Sequence, residues 1–447
     1  VQKGKLLAAD LQVKAGIFLA RALYGAQDLY TSWRDSVVAI MGPGAGKTTG
    51  MAVPYIIDAP GLVIATTNKR DLADDVRKAC EERGTFWCFD PQRIADYHEG
   101  KPAPWWWNPL TYVTNETRAL AMAKLFADAD ADADSKKDPF FDKEGPLLLA
   151  RLLLAAAVGG YHFPQVFIWL NKSKDRTAIQ VLKDHGHVLS ASALEAAYNW
   201  DVEQRQGVFA TARAGVEFLD NRDALQWIAP LGDDDDRPQF HPTEFVKGRS
   251  DTVLSMSKEG DGSLGPITTA LTKALLDAAE EYANKVGGGR MPIPLVGVLD
   301  EAANTCRIRD LPKKYSFYGG MGIFLMTILQ NWTQGVTAWG ENGMRQLWAA
   351  ATHRVVGAGA EDVKFLQDVS SRIGKEDQAK WSSSKTSGKS PSSGISSSIA
   401  AEDILTVAEL AALSFGTVVV LPSGGRAILA ETIGWFDRPE MKIVVSA

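Results

Sequence analysis

Residues Val37 to Gly50 read VVAIMGPGAGKTTG, an apolar, β-branched run that breaks into glycines and ends in Lys-Thr-Thr. No other stretch of the chain restricts the fold as tightly. "SVVAIM" has the length and branching of a buried strand, and "KTTGMAVPYII" can open a helix. Between them, glycines let the backbone turn sharply enough for its N–H groups to gather around an anion at the helix N-terminus. Gly42, Pro43, Gly44, Ala45, Gly46, Lys47, Thr48 and Thr49 form the candidate cradle. Lys47 would reach the β- and γ-phosphates of ATP, and Thr48 would hold Mg²⁺. The spacing departs from the usual pattern: Met41 stands where the first glycine belongs, Gly42 comes one residue late, and Pro43 brings no N–H.

Such a loop needs a carboxylate on a neighbouring strand to share the metal. "MPIPLVGVLDEAAN" supplies one, with apolar residues from Ile293 to Leu299 running into Asp300 and Glu301. Asp300 suits the metal, and Glu301 suits orienting or deprotonating an attacking water. A third apolar run, "GIFLMTILQNWTQ", ends on Gln330, a polar group placed to sense the terminal phosphate. Three strands ending in Gly-Lys-Thr, Asp-Glu and Gln outline one crevice at the carboxyl edge of a parallel sheet, where such sheets bind ligands. The candidate catalytic residues on the strand ends are Lys47, Glu301 and Gln330.

About 250 residues separate Lys47 from Asp300, more than a few strand–helix units require. Strand-like sequence continues through "GLVIATTNKRDL" and "GTFWCFDP" and stops after "PWWWNPL". From there to about Pro238 the apolar spacing is helical, as in "ETRALAMAKLFADA" and "PLLLARLLLAAAV". The expected fold class is α/β: a RecA-like P-loop NTPase domain with a central, mostly parallel sheet, interrupted by an inserted all-α domain. The divisions fall at residues 1–110, 111–238 and 239–447. The Ser/Gly-rich stretch at 381–398 is expected to be a flexible surface loop. The acidic runs at Asp128 to Asp134 and Asp233 to Asp236 read as solvated loops, and Trp105 to Trp107 as packing at the junction of the two domains.

Composition narrows the class further. A chain with 45% hydrophobic and 23% charged residues buries an ordinary core, and a net charge of −6 excludes a uniformly basic surface without excluding a local basic channel. Three scattered cysteines point to a reducing, cytosolic compartment and not to a disulfide framework. "GPLLLARLLLAAAVGG" is too short to span a bilayer and carries Arg151, so it reads as a buried helix.

The order and wording of these motifs resemble the TraG/TraD-type coupling proteins of type IV secretion and conjugation. "GPGAGKTTG", "TTNKRDL", "CFDP", "WWWNPL", "DPFFDKEGPLLLARLLLAA" and "VLDEAANTCRIRDLPKKYSFYGGMGIFLMTILQN" carry the likeness, which spans nearly the whole chain. The resemblance implies an ATPase at the cytoplasmic face of the cell membrane, anchored by an upstream stem and active as a homo-hexamer. Its implied partners are single-stranded DNA bound without sequence preference, relaxase or other secretion substrates, and components of the type IV secretion channel. It also implies an arginine finger reaching a neighbouring subunit's γ-phosphate; Arg354 is the preferred candidate and Arg345 the other. Lys313 and Lys314 are candidates for facing DNA. Two other readings of the same residues stay open: a nucleotide-binding receptor that docks substrates with little motor activity, and a related ring ATPase moving duplex DNA or protein.

Overall fold

The structure, a computed structural model, describes residues 16–128, 138–258, 263–386 and 392–438. Its strands in chain order are β1 (Gly16–Ala22), β2 (Asp28–Ser32), β3 (Ser36–Ile40), β4 (Val63–Thr67), β5 (Phe86–Phe89), β6 (Trp106–Trp107), β7 (Gln239–Phe240), β8 (Thr252–Met256), β9 (Leu295–Leu299), β10 (Ile323–Leu329), β11 (His353–Gly357), β12 (Lys375–Thr386), β13 (Ser392–Asp403), β14 (Thr417–Pro422) and β15 (Ile428–Glu431). Eleven of them form one sheet in the order β2-β1-β15-β14-β11-β3-β10-β9-β4-β8-β5. From β11 to β5 every pairing is parallel, and from β11 through β14, β15, β1 and β2 every pairing is antiparallel.

Parallel strands covered on both faces read as continuous apolar runs. β3, β4, β8, β9 and β10 are accordingly buried at every position. Because side chains alternate along a strand, each strand feeds two cores. Val38, Ile40 and Ile64 pack on the face shared with the helical insertion. Val37, Ala39 and Val63 pack on the other, against Tyr55 and Val76.

The insertion leaves the sheet after β5 and returns before β8. Its ends are clasped: Trp106 pairs with Gln239 and Trp107 with Phe240 in the two-stranded parallel ladder of β6 and β7. Between them the described elements are helical, from Glu116–Asp128 to Arg222–Ile228. The helix Phe141–Val158 lies at their centre, with Leu148, Leu149, Leu152 and Leu153 fully buried. None of the described helices is long and apolar enough to cross a membrane. All three tryptophans of the WWW run are buried. Trp105 meets Trp87 and Phe89 of the sheet on one side and Trp227 of the insertion on the other, so it packs the junction.

The Ser-rich stretch departs from the loop expected of it. β12 and β13 form a regular antiparallel hairpin, in register from Lys375↔Asp403 to Thr386↔Ser392. A two-stranded ribbon satisfies its backbone by cross-strand pairing, which composition alone does not reveal. Of the acidic runs, Asp233 to Asp236 lies at the surface, with Asp235 paired to Arg237. The other run, from residue 129 to residue 134, falls outside the described residues.

Candidate nucleotide site

At the carboxyl edge of β3 the chain turns through Gly42–Gly46 into a π-helical turn, Thr48–Ala52, that continues as the α-helix Val53–Ile57. Pro54 lacks the N–H that a regular α-turn would donate to Gly50, and Val53 N–H instead bonds Thr48 O. Gly44 (φ +72°) and Gly46 (φ +83°) occupy left-handed conformations that glycine alone adopts without strain. Gly42 is required for space: a Cβ there would come within 2.6 Å of the Gly359 carbonyl oxygen. Its N–H donates to Ala358 O at 2.8 Å, tying the loop to the end of β11. The late first glycine thus serves close packing against a neighbouring loop, and two glycines supply the turn.

Register brings the other strand ends alongside. Leu329 of β10 pairs with Ile40 of β3, and Leu299 of β9 pairs with Thr327 of β10 and Thr66 of β4. Asp300, Glu301 and Gln330 therefore emerge beside the loop. Lys47 Nζ lies 3.0 Å from Glu301 Oε1, with the two side chains only 3% and 0% exposed. The ammonium sits off the hydrogen-bonding axis, so the contact is Coulombic. Gln330 Nε2 donates to both Glu301 oxygens at 2.7 Å. Glu301 itself is held at φ +54°, a left-handed conformation for a residue with a Cβ, and it caps the short helix Ala302–Thr305. Single residues in that region store roughly 1 kcal/mol or more and cluster where a side chain must be aimed.

Asp300 differs from Glu301 in having no partner. It is fully buried, and neither carboxylate oxygen accepts a hydrogen bond. Burial, reinforced by the adjacent Glu301 charge and opposed by Lys47 and Lys69, pushes its carboxyl up to about 6. An unsatisfied buried carboxylate costs free energy unless a cation supplies the missing ligand field. An unpartnered carboxylate such as that of Asp300 has the oxygen-donor chemistry that Mg²⁺ takes.

Of the sequence-selected residues, the structure gathers Gly42 to Thr49, Asp300, Glu301 and Gln330 into one site. Pro43 and Gln330 also line an open cleft of about 810 Å³ together with Asn304, Arg307, Gly359 and Asp362. Arg354 is not brought to this edge. It pairs with Val38 toward the start of β11, is 3% exposed, and donates to Ala351 O and to Ser423 Oγ at 2.7 Å. A guanidinium so enclosed cannot extend to another subunit, which corrects the preference for Arg354 as a finger. We expect Arg354→Ala to cost about 1–3 kcal/mol in denaturant unfolding, as for a lost buried charged hydrogen bond, with unchanged turnover per folded molecule. Arg345, by contrast, is half exposed and ion-paired to Glu341. Lys314 is also reassigned: it is half-buried and ion-paired with Asp277 and Glu280, beside Arg118 of the insertion.

Sequence reasoning missed Lys69, whose Nζ lies 3.8 Å from Glu301 Oε1. It follows β4 as Asp300 follows β9, and only the pairing of β4 with β9 sets the two side by side.

The fold is that of a RecA-like P-loop NTPase domain interrupted by a helical domain. Residues 1–214 match the family model described as "Type IV secretory system Conjugative DNA transfer", and residues 294–415 match "TraM recognition site of TraD and TraG". The chain belongs to the TraG/TraD family of type IV coupling proteins. No curated protein matches it by sequence. Among solved structures it is similar to the bacterial conjugative coupling protein TrwBdeltaN70 in its unbound form, at 17% identity and a TM-score of 0.64, covering 96% of this chain and 92% of that one. It is also similar to the plasmid coupling protein TrwB in complex with ADP and Mg²⁺, at 15% identity and a TM-score of 0.61, covering 90% and 86%. A third likeness is to TrwB with the non-hydrolysable ATP analogue ADPNP, at 17% identity and a TM-score of 0.62, also covering 90% and 86%. At these identities the structures speak for the fold.

Proposed function

We propose that this chain is the ATP-hydrolysing part of a coupling protein that drives DNA transfer into a type IV secretion channel. One observation carries the proposal: a fully buried, unpartnered carboxylate, Asp300, sits at the same strand edge as a lysine–glutamate–glutamine cluster and a glycine loop. The solved relatives described with ADP and Mg²⁺ or with ADPNP, and the family's description as DNA-transfer proteins, point the same way.

In this reading the backbone N–H groups of Gly44 to Thr48 hold the phosphate chain, and Lys47 moves from Glu301 to the β- and γ-oxygens. Asp300 and Thr48 would hold Mg²⁺, which would supply positive charge against the phosphates. Release of Lys47 leaves Glu301 free to take a proton from water, while Gln330, already bonded to Glu301, registers whether the terminal phosphate is present. Gln330 leads into the helix that starts at Trp332, so a change at the phosphate can be passed along it as far as the break at Gly340 (φ +70°). Completion of the site by a neighbouring subunit in a ring, binding of a relaxase, and anchoring at the membrane face all belong to this proposal.

The test is turnover measured alone, with single-stranded DNA and with duplex DNA, alongside mass in solution across protein concentrations. Stimulation by single strands, with a rise in mass on adding nucleotide, is the expected result. Absence of turnover under every condition, with stoichiometric capture of a secretion substrate, would favour a docking receptor.

A further inference from the structure

The strand order fixes the direction in which a bound nucleotide runs. β9 and β10 lie on one side of β3, and β11, β14 and β15 lie on the other. Glu301 and Gln330 place the terminal phosphate on the β10 side of the loop, so the remainder of the molecule extends toward β14 and β15. β14 begins, and β15 ends, at this same carboxyl edge, because Val418 pairs with Gly357 and Thr417 with Glu431.

The turn before β14 carries Phe415, a phenyl ring left 70% exposed. The ring rests on the glycine loop: a Cβ at Gly46 would meet Phe415 Cζ at 3.2 Å. The turn is pinned to the helix that follows the loop. Thr432 N–H donates to Gly416 O at 2.8 Å, its hydroxyl donates to the same oxygen at 3.3 Å, and a Cβ at Gly50 would meet Thr432 Cβ at 2.9 Å. Gly416 itself is at φ +77°, so the turn's shape depends on glycine. One edge of the ring is thus fixed against the phosphate loop while most of its surface faces solvent.

We infer that Phe415 is the stacking surface for the nucleobase of the nucleotide held by this loop, a positioning residue whose role rests on the function proposed above. Flat apolar rings stack on any base, and a phenyl has no hydrogen-bonding group. The contact therefore grips a purine by its face and does not distinguish adenine from guanine.

The experiment is calorimetric titration of the full chain with Mg²⁺ and ATP, GTP or inorganic tripolyphosphate, the last having phosphates and no base. Phe415→Ala should weaken ATP and GTP about tenfold each, the value of a modest base–aromatic stack, and tripolyphosphate less than about twofold. Phe415→Tyr should restore nucleotide affinity. Equal weakening of tripolyphosphate and ATP would show that the ring only props the loop, and unchanged ATP affinity would likewise overturn the inference while leaving the proposed function intact. A wild-type chain that binds neither ATP nor tripolyphosphate would remove the nucleotide reading, and this inference with it.

Discussion

Glu301→Gln is expected to cut ATP turnover by about 10²–10⁴-fold, the usual contribution of a general base, without weakening nucleotide binding. The amide has nearly the size of the carboxylate, so the left-handed turn and the packing around it persist. What changes is charge. Glu301 holds Lys47 at 3.0 Å, and a phosphate must compete for that ammonium. Neutralising Glu301 removes the competitor, so Mg²⁺·ATP should bind as tightly as to the wild type or more tightly. Single-turnover hydrolysis and equilibrium binding, measured on one preparation, check both halves. Hydrolysis at the wild-type rate would take Glu301 out of the chemistry.

Lys47→Ala should lose turnover by about 10²–10³-fold or more, since it removes a preorganised cation from the developing phosphate charge. It should also destabilise the fold. Glu301 is fully buried, and without Lys47 its remaining neighbours are the Gln330 amide and the more distant, partly exposed Lys69. Breaking a buried pair from one side typically costs about 3–5 kcal/mol because the other charge is stranded. The double variant Lys47→Ala with Glu301→Gln should recover most of that stability and none of the turnover. Denaturant unfolding of the four proteins in the cycle gives the coupling directly. If Lys47→Ala matched the wild type in stability, the ion pair would be absent from the solution structure.

These effects trace to residues readable in the sequence, because each lies where an apolar strand ends. Gly-Lys-Thr after β3, Asp-Glu after β9 and Gln after β10 mark strand ends by a change of polarity, and parallel strands put their ends on one edge. The helical insertion was legible for a similar reason: its periodicity changes abruptly after the WWW run, where β6 and β7 clasp its two ends. What sequence could not give was the order of strands. Lys69 and Phe415 reach the site only because β4 lies beside β9 and because β14 runs antiparallel to β11. Arg354 misled because spacing locates a residue along the chain and says nothing about which end of a strand it occupies. Its position opposite Val38 puts it toward the start of β11. Lys314 misled because the acidic partners that enclose it, Asp277 and Glu280, come from another helix.

The central claim is that Lys47, Asp300 and Glu301 serve a single magnesium–nucleotide complex. A crystal structure of this chain with Mg²⁺ and a non-hydrolysable ATP analogue tests it most directly. The terminal phosphate should then lie against Lys47 and Gln330, with the metal reached by Asp300 directly or through one water. A nucleotide seated elsewhere, with Asp300 still unpartnered and Lys47 still on Glu301, would contradict it.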